Sequence, residues 1–196
     1  MSRLSQARFL LRITRTHGIA RRYFVVNGFD GALTMLGIIM GFVISAPADL
    51  PLVINACLGA AIALGVSGAS SAYVSETAER RRELSELEGA MAADLEKSLH
   101  GEAVRWVPLL IGLVNGSAPL IISVLILVPL WLAQAGISLP LSPLYAAIIV
   151  ALLSAFLLGV YLGRIAGTSW LLSGVRTLSI ALVTAALIYL FTGSSP

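Results

Sequence analysis

The fold is decided by the stretch Tyr23–Ala46, which reads YFVVNGFDGALTMLGIIMGFVISA. It is almost entirely apolar, and Asp30 is the one charged residue within it. A helix needs about 20 apolar residues to cross the ~30 Å hydrocarbon core of a bilayer, and this stretch exceeds that length. It therefore predicts a transmembrane helix that carries a carboxylate.

Four further apolar stretches of comparable length follow along the chain, at Leu52–Ser75, Trp106–Ala133, Leu144–Leu162 and Leu171–Phe191. The 196 residues are 58% hydrophobic and only 12% charged, unlike a soluble domain. The sequence predicts an all-α integral membrane protein with five transmembrane helices. The polar gaps leave no room for a separate soluble domain, so residues 23–196 are expected to form one membrane domain.

The basic residues predict the orientation of the chain. Residues 1–22 contain six arginines and no acidic residue, which favours an amphipathic segment lying at the headgroups on the cytoplasmic side. With five spans, all 13 Lys and Arg residues fall on one side of the membrane. This is the positive-inside pattern, and it predicts a cytoplasmic N-terminus and an external C-terminus. Because these charges lie beside membrane spans, we expect no nucleic-acid binding.

The largest polar segment is the connection 76–105, and its composition favours helix throughout. The second transmembrane helix is therefore expected to extend into the cytoplasm. Leu84, Leu87, Met91 and Leu95 form an apolar stripe on it that could dock a partner helix.

Asp30 is the strongest candidate for a functional residue. It lies ~12 Å into the first span, where burial of a carboxylate costs at least about 2.5 kcal/mol. A proton, a cation, or hydrogen bonds from Asn27, Thr34 or another chain could satisfy it. Asp30 and Thr34 share a helix face with Gly37 and Gly41, and this face is expected to meet another helix.

A run of carboxylates forms the second candidate site. Glu76, Glu79, Glu83 and Glu86 fall within an arc of about 80° on a helix, at the end of the second span. Oxygen ligands on one face could collect divalent cations at a pathway entrance. Ordinary ion pairs with the neighbouring arginines explain the same pattern.

The remaining polar positions argue for a pathway and against an enzyme. Asn27, Thr34 and Asn115 are expected to line the pathway, since polar residues at membrane depth are tolerated where they border a cavity or pack on neighbours. Gly65-Val-Ser-Gly68 resembles a serine-protease motif, but no span contains a histidine that could act as base. We predict no catalytic residue and no cofactor.

Several segments resemble the vacuolar iron transporter family, in particular its members without the large cytoplasmic metal-binding domain. The likeness is carried by Asn27–Thr34, by Tyr73 with the Glu-rich helix that follows, and by Ser173–Tyr189. The resemblance implies a homodimer that moves Fe²⁺, and often Mn²⁺, out of the cytoplasm in exchange for protons. It implies that the first spans face each other, that Asp30 lies on the pathway, and that Glu76 and Glu79 lie near its mouth.

Two functional hypotheses follow from the sequence. The first is a divalent-metal carrier in the cell membrane or a vacuole-type membrane, in which Asp30 alternately binds metal or a proton. The alternative is a membrane scaffold or assembly subunit in which Asp30 packs helices and the extended helix docks a partner.

Overall fold

The computed structural model describes residues 16–45, 49–96 and 98–193. These ranges contain five α-helices and no strand: α1 Thr16–Ser45, α2 Leu50–Met91, α3 Leu99–Gln134, α4 Pro143–Ile165 and α5 Trp170–Thr192. Each of the five is long and apolar enough to cross a membrane. The predicted all-α class is confirmed for these ranges, as is the prediction of five helices able to span a membrane, and the helices fit a multi-pass membrane protein. The predicted N-terminal segment lies outside the described residues up to residue 15.

The helices contribute to two compact units. One contains the described residues up to Phe24 together with Val66–Ser117, and the other contains Val25–Gly65 and the described residues from Ala118 onward. The prediction of a single membrane domain over residues 23–196 stays a prediction.

In the first unit, the second half of α2 packs against the first half of α3. Its buried core contains Ala72, Ala103, Val107 and Ile111, with Ile19 and Tyr23 of α1 packed against it. Gly112 brings the two backbones together, because a Cβ there would lie 2.9 Å from the carbonyl oxygen of Ala69. The two helices therefore meet closely, through small side chains.

The connection between α2 and α3 differs from the sequence expectation. Helix α2 ends at Met91, and Ala92 adopts a left-handed backbone conformation with φ of 49°. The prediction of helix throughout 76–105 is therefore wrong for the described residues from 92 to 98. Leu95 also falls outside the helix, so the predicted apolar stripe of α2 ends at Met91.

Side-chain acceptors explain this interruption. The backbone N–H of Leu95 donates to the Glu88 carboxylate at 2.9 Å, and that of Glu96 donates to the Asp94 carboxylate at 2.9 Å. Short polar side chains that bond nearby backbone groups compete with the helix and favour a turn. Neither proline nor glycine is needed for the chain to reverse here.

In the second unit, α1 crosses α3 at a glycine. Gly31 is buried, and a Cβ at this position would lie 2.9 Å from the Cα of Pro119. Gly28 lies against Ile122 and Leu158, at 3.3 and 3.4 Å from a Cβ placed there. These glycines position the helix segment that carries Asp30.

The last two helices form a hairpin with an interhelical hydrogen bond. The Thr177 hydroxyl of α5 donates to the carbonyl oxygen of Ala155 on α4 at 2.9 Å. Gly159 and Gly163 of α4 leave room for Thr177 and Ser173 of α5. Small residues that let helices approach are the usual means of association inside a bilayer.

We predict that Gly31→Ala destabilises the protein, because its new methyl group meets the Pro119 backbone. Overpacking of this kind costs about 1–3 kcal/mol. Gly59→Ala is the matched control, since Gly59 also lies within a membrane helix and has nothing within 4 Å of a Cβ. Thermal unfolding in detergent should show a lower Tm for Gly31→Ala and an unchanged or higher Tm for Gly59→Ala. Equal Tm values for the two variants would contradict the close crossing.

Candidate functional site

The Asp30 side chain is exposed on the surface of the described chain, although it lies within an apolar helix. Val26, one turn earlier, is exposed as well, with 51% of its surface accessible, and Thr34, one turn later, is half-buried. The carboxylate forms no hydrogen bond or ion pair with any residue in the described ranges. Its charge is therefore not compensated by the part of the chain that the structure describes.

Two of the predicted neighbours do not supply the missing partner. The Thr34 hydroxyl donates to the backbone carbonyl oxygen of Asp30 at 2.8 Å, and not to its carboxylate. Asn27 is half-buried and has an interaction of its own, but it forms none with the Asp30 carboxylate. Of the alternatives set out from the sequence, a proton, a cation or another chain remains.

The glycines beside Asp30 favour close packing and not local unwinding. Helix α1 is α-helical from Thr16 to Ser45 without interruption, so Gly28 and Gly31 offer no free carbonyl groups to an ion. On the predicted Asp30 face, Gly37 lies near Ile188, while Gly41 has nothing within 4 Å of a Cβ. This face is thus only partly covered by described residues.

The four glutamates of the predicted metal site on α2 occupy different environments. Glu76 is buried, whereas Glu79, Glu83 and Glu86 are exposed. Across residues 16–45, 49–96 and 98–193, no three His, Cys, Asp or Glu side chains come close enough to hold a metal ion together. The assignment of these glutamates to metal stays a prediction.

Arg80 is the residue that links two of these carboxylates. Its guanidinium lies 2.7 Å from Glu83 through Nη1, and 3.6 Å from Glu76 through Nε. The side chains of Arg80 and Glu76 are only 9% and 10% exposed. Ion pairs with neighbouring arginines therefore form for Glu76 and Glu83, and the pair between Arg80 and Glu76 is buried.

The Arg80 Nε has no hydrogen-bond partner among the described atoms although it is fully buried. Beside the guanidinium lies a cavity of about 30 Å³, lined by Arg80, Glu83, Leu84, Leu87, His100, Ala103 and Val104. A cavity of this size can hold a water molecule, and a buried N–H group without a partner costs about 1–3 kcal/mol. A water between α2 and α3 would satisfy the donor.

Glu79 and Glu86 face solvent. Glu86 pairs with Arg82 at 2.9 Å, and both side chains are more than 60% exposed. Glu79 forms no ion pair with a residue in the described ranges. An exposed pair such as Arg82–Glu86 is weak because water screens it, so Glu79 and Glu86 remain accessible to ions from solution.

Asn115 is a contact between helices. It is 3% exposed, and its side-chain amide donates to the carbonyl oxygen of Gly68 at 2.6 Å. This bond joins α3 to α2 within the first unit. Its predicted role in lining a pathway stays a prediction.

The comparisons with known proteins place the chain in a family. It is 32% identical over 173 residues to the uncharacterized protein MJ0645 of Methanocaldococcus jannaschii, and the match covers 86% of each chain. The chain belongs to the family of this archaeal protein. It matches no protein-family model, and no solved structure is similar to it.

The sequence of this MJ0645 family member identified Asp30 and the glutamates but missed the central position of Arg80. The signal was present, because Glu76, Arg80, Glu83 and Leu87 recur at three- and four-residue spacing and so share one helix face. That face includes the position next to Leu84, which borders the same cavity as Ala103 and Val104 of α3. An apolar stripe that ends in an Arg–Glu pair indicates that the pair lies under the neighbouring helix.

We predict that Arg80→Gln lowers stability far more than Arg82→Gln. Removal of Arg80 leaves the buried Glu76 without its cation, at a cost on the order of 2–3 kcal/mol, whereas Arg82 is exposed. Chemical or thermal unfolding of the purified protein measures both changes. Equal loss of stability in the two variants would show that the buried pair of Arg80 with Glu76 does not stabilise the protein.

Proposed function

We propose that the protein is a carrier that moves divalent transition-metal cations, Fe²⁺ and/or Mn²⁺, out of the cytoplasm in exchange for protons. It would act as a homodimer through α1, without a catalytic residue or a resident cofactor. Asp30 would bind the metal ion or the proton in turn. The membrane is the cell membrane or a vacuole-type membrane.

The single observation that carries this proposal is the exposed, uncompensated carboxylate of Asp30. Facing lipid as an anion would cost at least about 2.5 kcal/mol, and no described side chain offsets this cost. The group must therefore take a proton or a cation, or meet another chain. A carrier that exchanges metal for protons across a dimer uses all three.

A second copy of α1 would complete the site. One carboxylate is a poor cage for a divalent ion, which takes several oxygen ligands. A twofold axis beside Asp30 would bring two carboxylates and two Thr34 side chains to the same place. A site built only from oxygen suits Mn²⁺ and Fe²⁺ without favouring either by softness.

The exposed carboxylates of α2 support capture of cations from solution. Glu79 has no described ion-pair partner, and Glu83 and Glu86 are exposed although paired. Attraction of cations to an entrance requires negative charge and access, and it does not require a preformed coordination shell. These residues would raise the local metal concentration near the pathway.

The charge distribution supports the direction of transport. All 13 basic residues fall on one side in a five-span arrangement, which favours a cytoplasmic N-terminus, an external C-terminus, and the polar end of α2 in the cytoplasm. The glutamates of α2 would then face the cytoplasmic metal pool. The resemblance to the vacuolar iron transporter family implies the same direction of transport.

The alternative function is a membrane scaffold or assembly subunit. One observation favours it, because Leu87 and Met91 at the end of α2 are 39% and 62% exposed and could contact a partner. In that case Asp30 would hold another chain and would bind no metal.

We predict that Asp30→Asn lowers metal uptake by at least tenfold while the protein still folds. Asparagine keeps the shape of the side chain but cannot carry the charge that binds metal or the proton it exchanges. Uptake of Mn²⁺, Fe²⁺, Zn²⁺ and Ca²⁺ into proteoliposomes, with and without a pH gradient, measures this loss.

Glu102→Gln is the matched control, because Glu102 is an exposed carboxylate at the start of α3. Uptake by this variant should equal that of the unchanged protein. Undiminished, gradient-driven uptake by Asp30→Asn would exclude the mechanism. Absence of flux for every metal in the folded, unchanged protein, with loss of assembly in Asp30→Asn, would favour the scaffold.

A further inference from the structure

The hairpin of α4 and α5 carries positive charge near its turn, and no carboxylate lies near it along the sequence. Arg164 lies at the end of α4, and Arg176 lies in the second turn of α5. From residue 103 to residue 196 the sequence contains no Asp or Glu. Within the described ranges, neither arginine forms an ion pair.

Arg164 is held at the surface by an aromatic ring. Its guanidinium carbon lies 5.7 Å from the centre of the Trp170 ring, and Arg164 itself is exposed. A cation over a tryptophan face is attracted by the ring but keeps its N–H groups free to donate. Trp170 is 46% exposed, as is usual for a tryptophan at the level of the headgroups.

Arg176 lies deeper along the same hairpin. Six residues separate it from Trp170, which corresponds to ~9 Å along the helix axis. Its exposed neighbours are apolar, since Leu172 and Val175 are 61% and 48% exposed. A charged side chain at this depth reaches back along the helix toward the headgroups.

Packing between the two helices keeps both arginines outside their contact. Ser173 and Thr177 of α5 face α4, where they lie against Gly163 and Gly159. Arg164 follows Gly163 directly and Arg176 precedes Thr177 directly, so each side chain lies about 100° from the contact. Because the two helices run antiparallel, these positions fall on opposite flanks of the hairpin. The arginines are therefore available to a molecule beside the protein.

We propose that this end of the α4–α5 hairpin binds the headgroups of anionic phospholipids, with Arg164 and Arg176 donating hydrogen bonds to their phosphates. Guanidinium N–H groups suit phosphate oxygens, and on each flank a positive charge without a nearby carboxylate favours a lipid with net negative charge. The surrounding apolar surface contacts the acyl chains. This site is independent of the metal transport proposed above.

The test compares lipid binding by four forms of the full-length protein: unchanged, Arg164→Gln, Arg176→Gln and Arg82→Gln. Each is purified in detergent and titrated with phosphatidylglycerol or phosphatidylcholine, and retained lipid is counted by native mass spectrometry. Arg82→Gln is the control, because Arg82 is also exposed but pairs with Glu86. Tm measured without lipid reports on folding, which substitution of an exposed arginine should leave unchanged.

We expect the unchanged protein and Arg82→Gln to prefer phosphatidylglycerol. Arg164→Gln and Arg176→Gln should each bind it about fivefold more weakly, which corresponds to about 1 kcal/mol per arginine near the membrane surface. Equal binding of both lipids, or unchanged binding in both hairpin variants, would overturn the proposal. Displacement of the lipid by inorganic phosphate at equal ionic strength would show a free-phosphate site instead.

Discussion

Close approach of helix backbones is the constraint on which the rest of the structure depends. Inside a bilayer the hydrophobic effect does not drive helices together, so packing and a few hydrogen bonds must do so. Gly31 against Pro119 and Gly112 against Ala69 permit this approach, each within its own unit. The hydrogen bonds of Asn115 to Gly68 and of Thr177 to Ala155 then join neighbouring helices.

Against this background Asp30 is the exception, because its carboxylate is exposed and has no partner among the described residues. Asn115 on α3 and Thr177 on α5 are polar residues within other apolar helices, and both donate to a backbone carbonyl group. Asp30 has no such bond within the described residues, although a carboxylate is costlier to place in a membrane than an amide or a hydroxyl group. An aspartate with a purely structural role would be expected to have a hydrogen-bond partner, as Asn115 and Thr177 do. We therefore interpret Asp30 as a residue whose partner is a ligand or a second chain.

The sequence predicted the spans well because the length and polarity of a membrane helix are local properties. Asp30 could be selected as a candidate for the same reason, since one carboxylate in an apolar stretch is visible without tertiary information, and its role stays a prediction. The sequence did not predict the end of α2 at Met91, which depends on Glu88 and Asp94 bonding the backbone ahead of them. Nor did it predict the burial of Arg80, because that depends on α3 returning over the same face of α2.

Cysteine crosslinking across α1 tests most directly whether a second chain covers Asp30. Val26 shares the exposed face of Asp30, and the natural Cys57 is buried and can be replaced by serine. In that background Val26→Cys should give disulfide-linked dimers in native membranes, whereas Leu125→Cys on α3, 49% exposed, should not. If Val26→Cys remains monomeric under oxidation while Leu125→Cys crosslinks, α1 is not the dimer interface and the proposed two-carboxylate site does not exist.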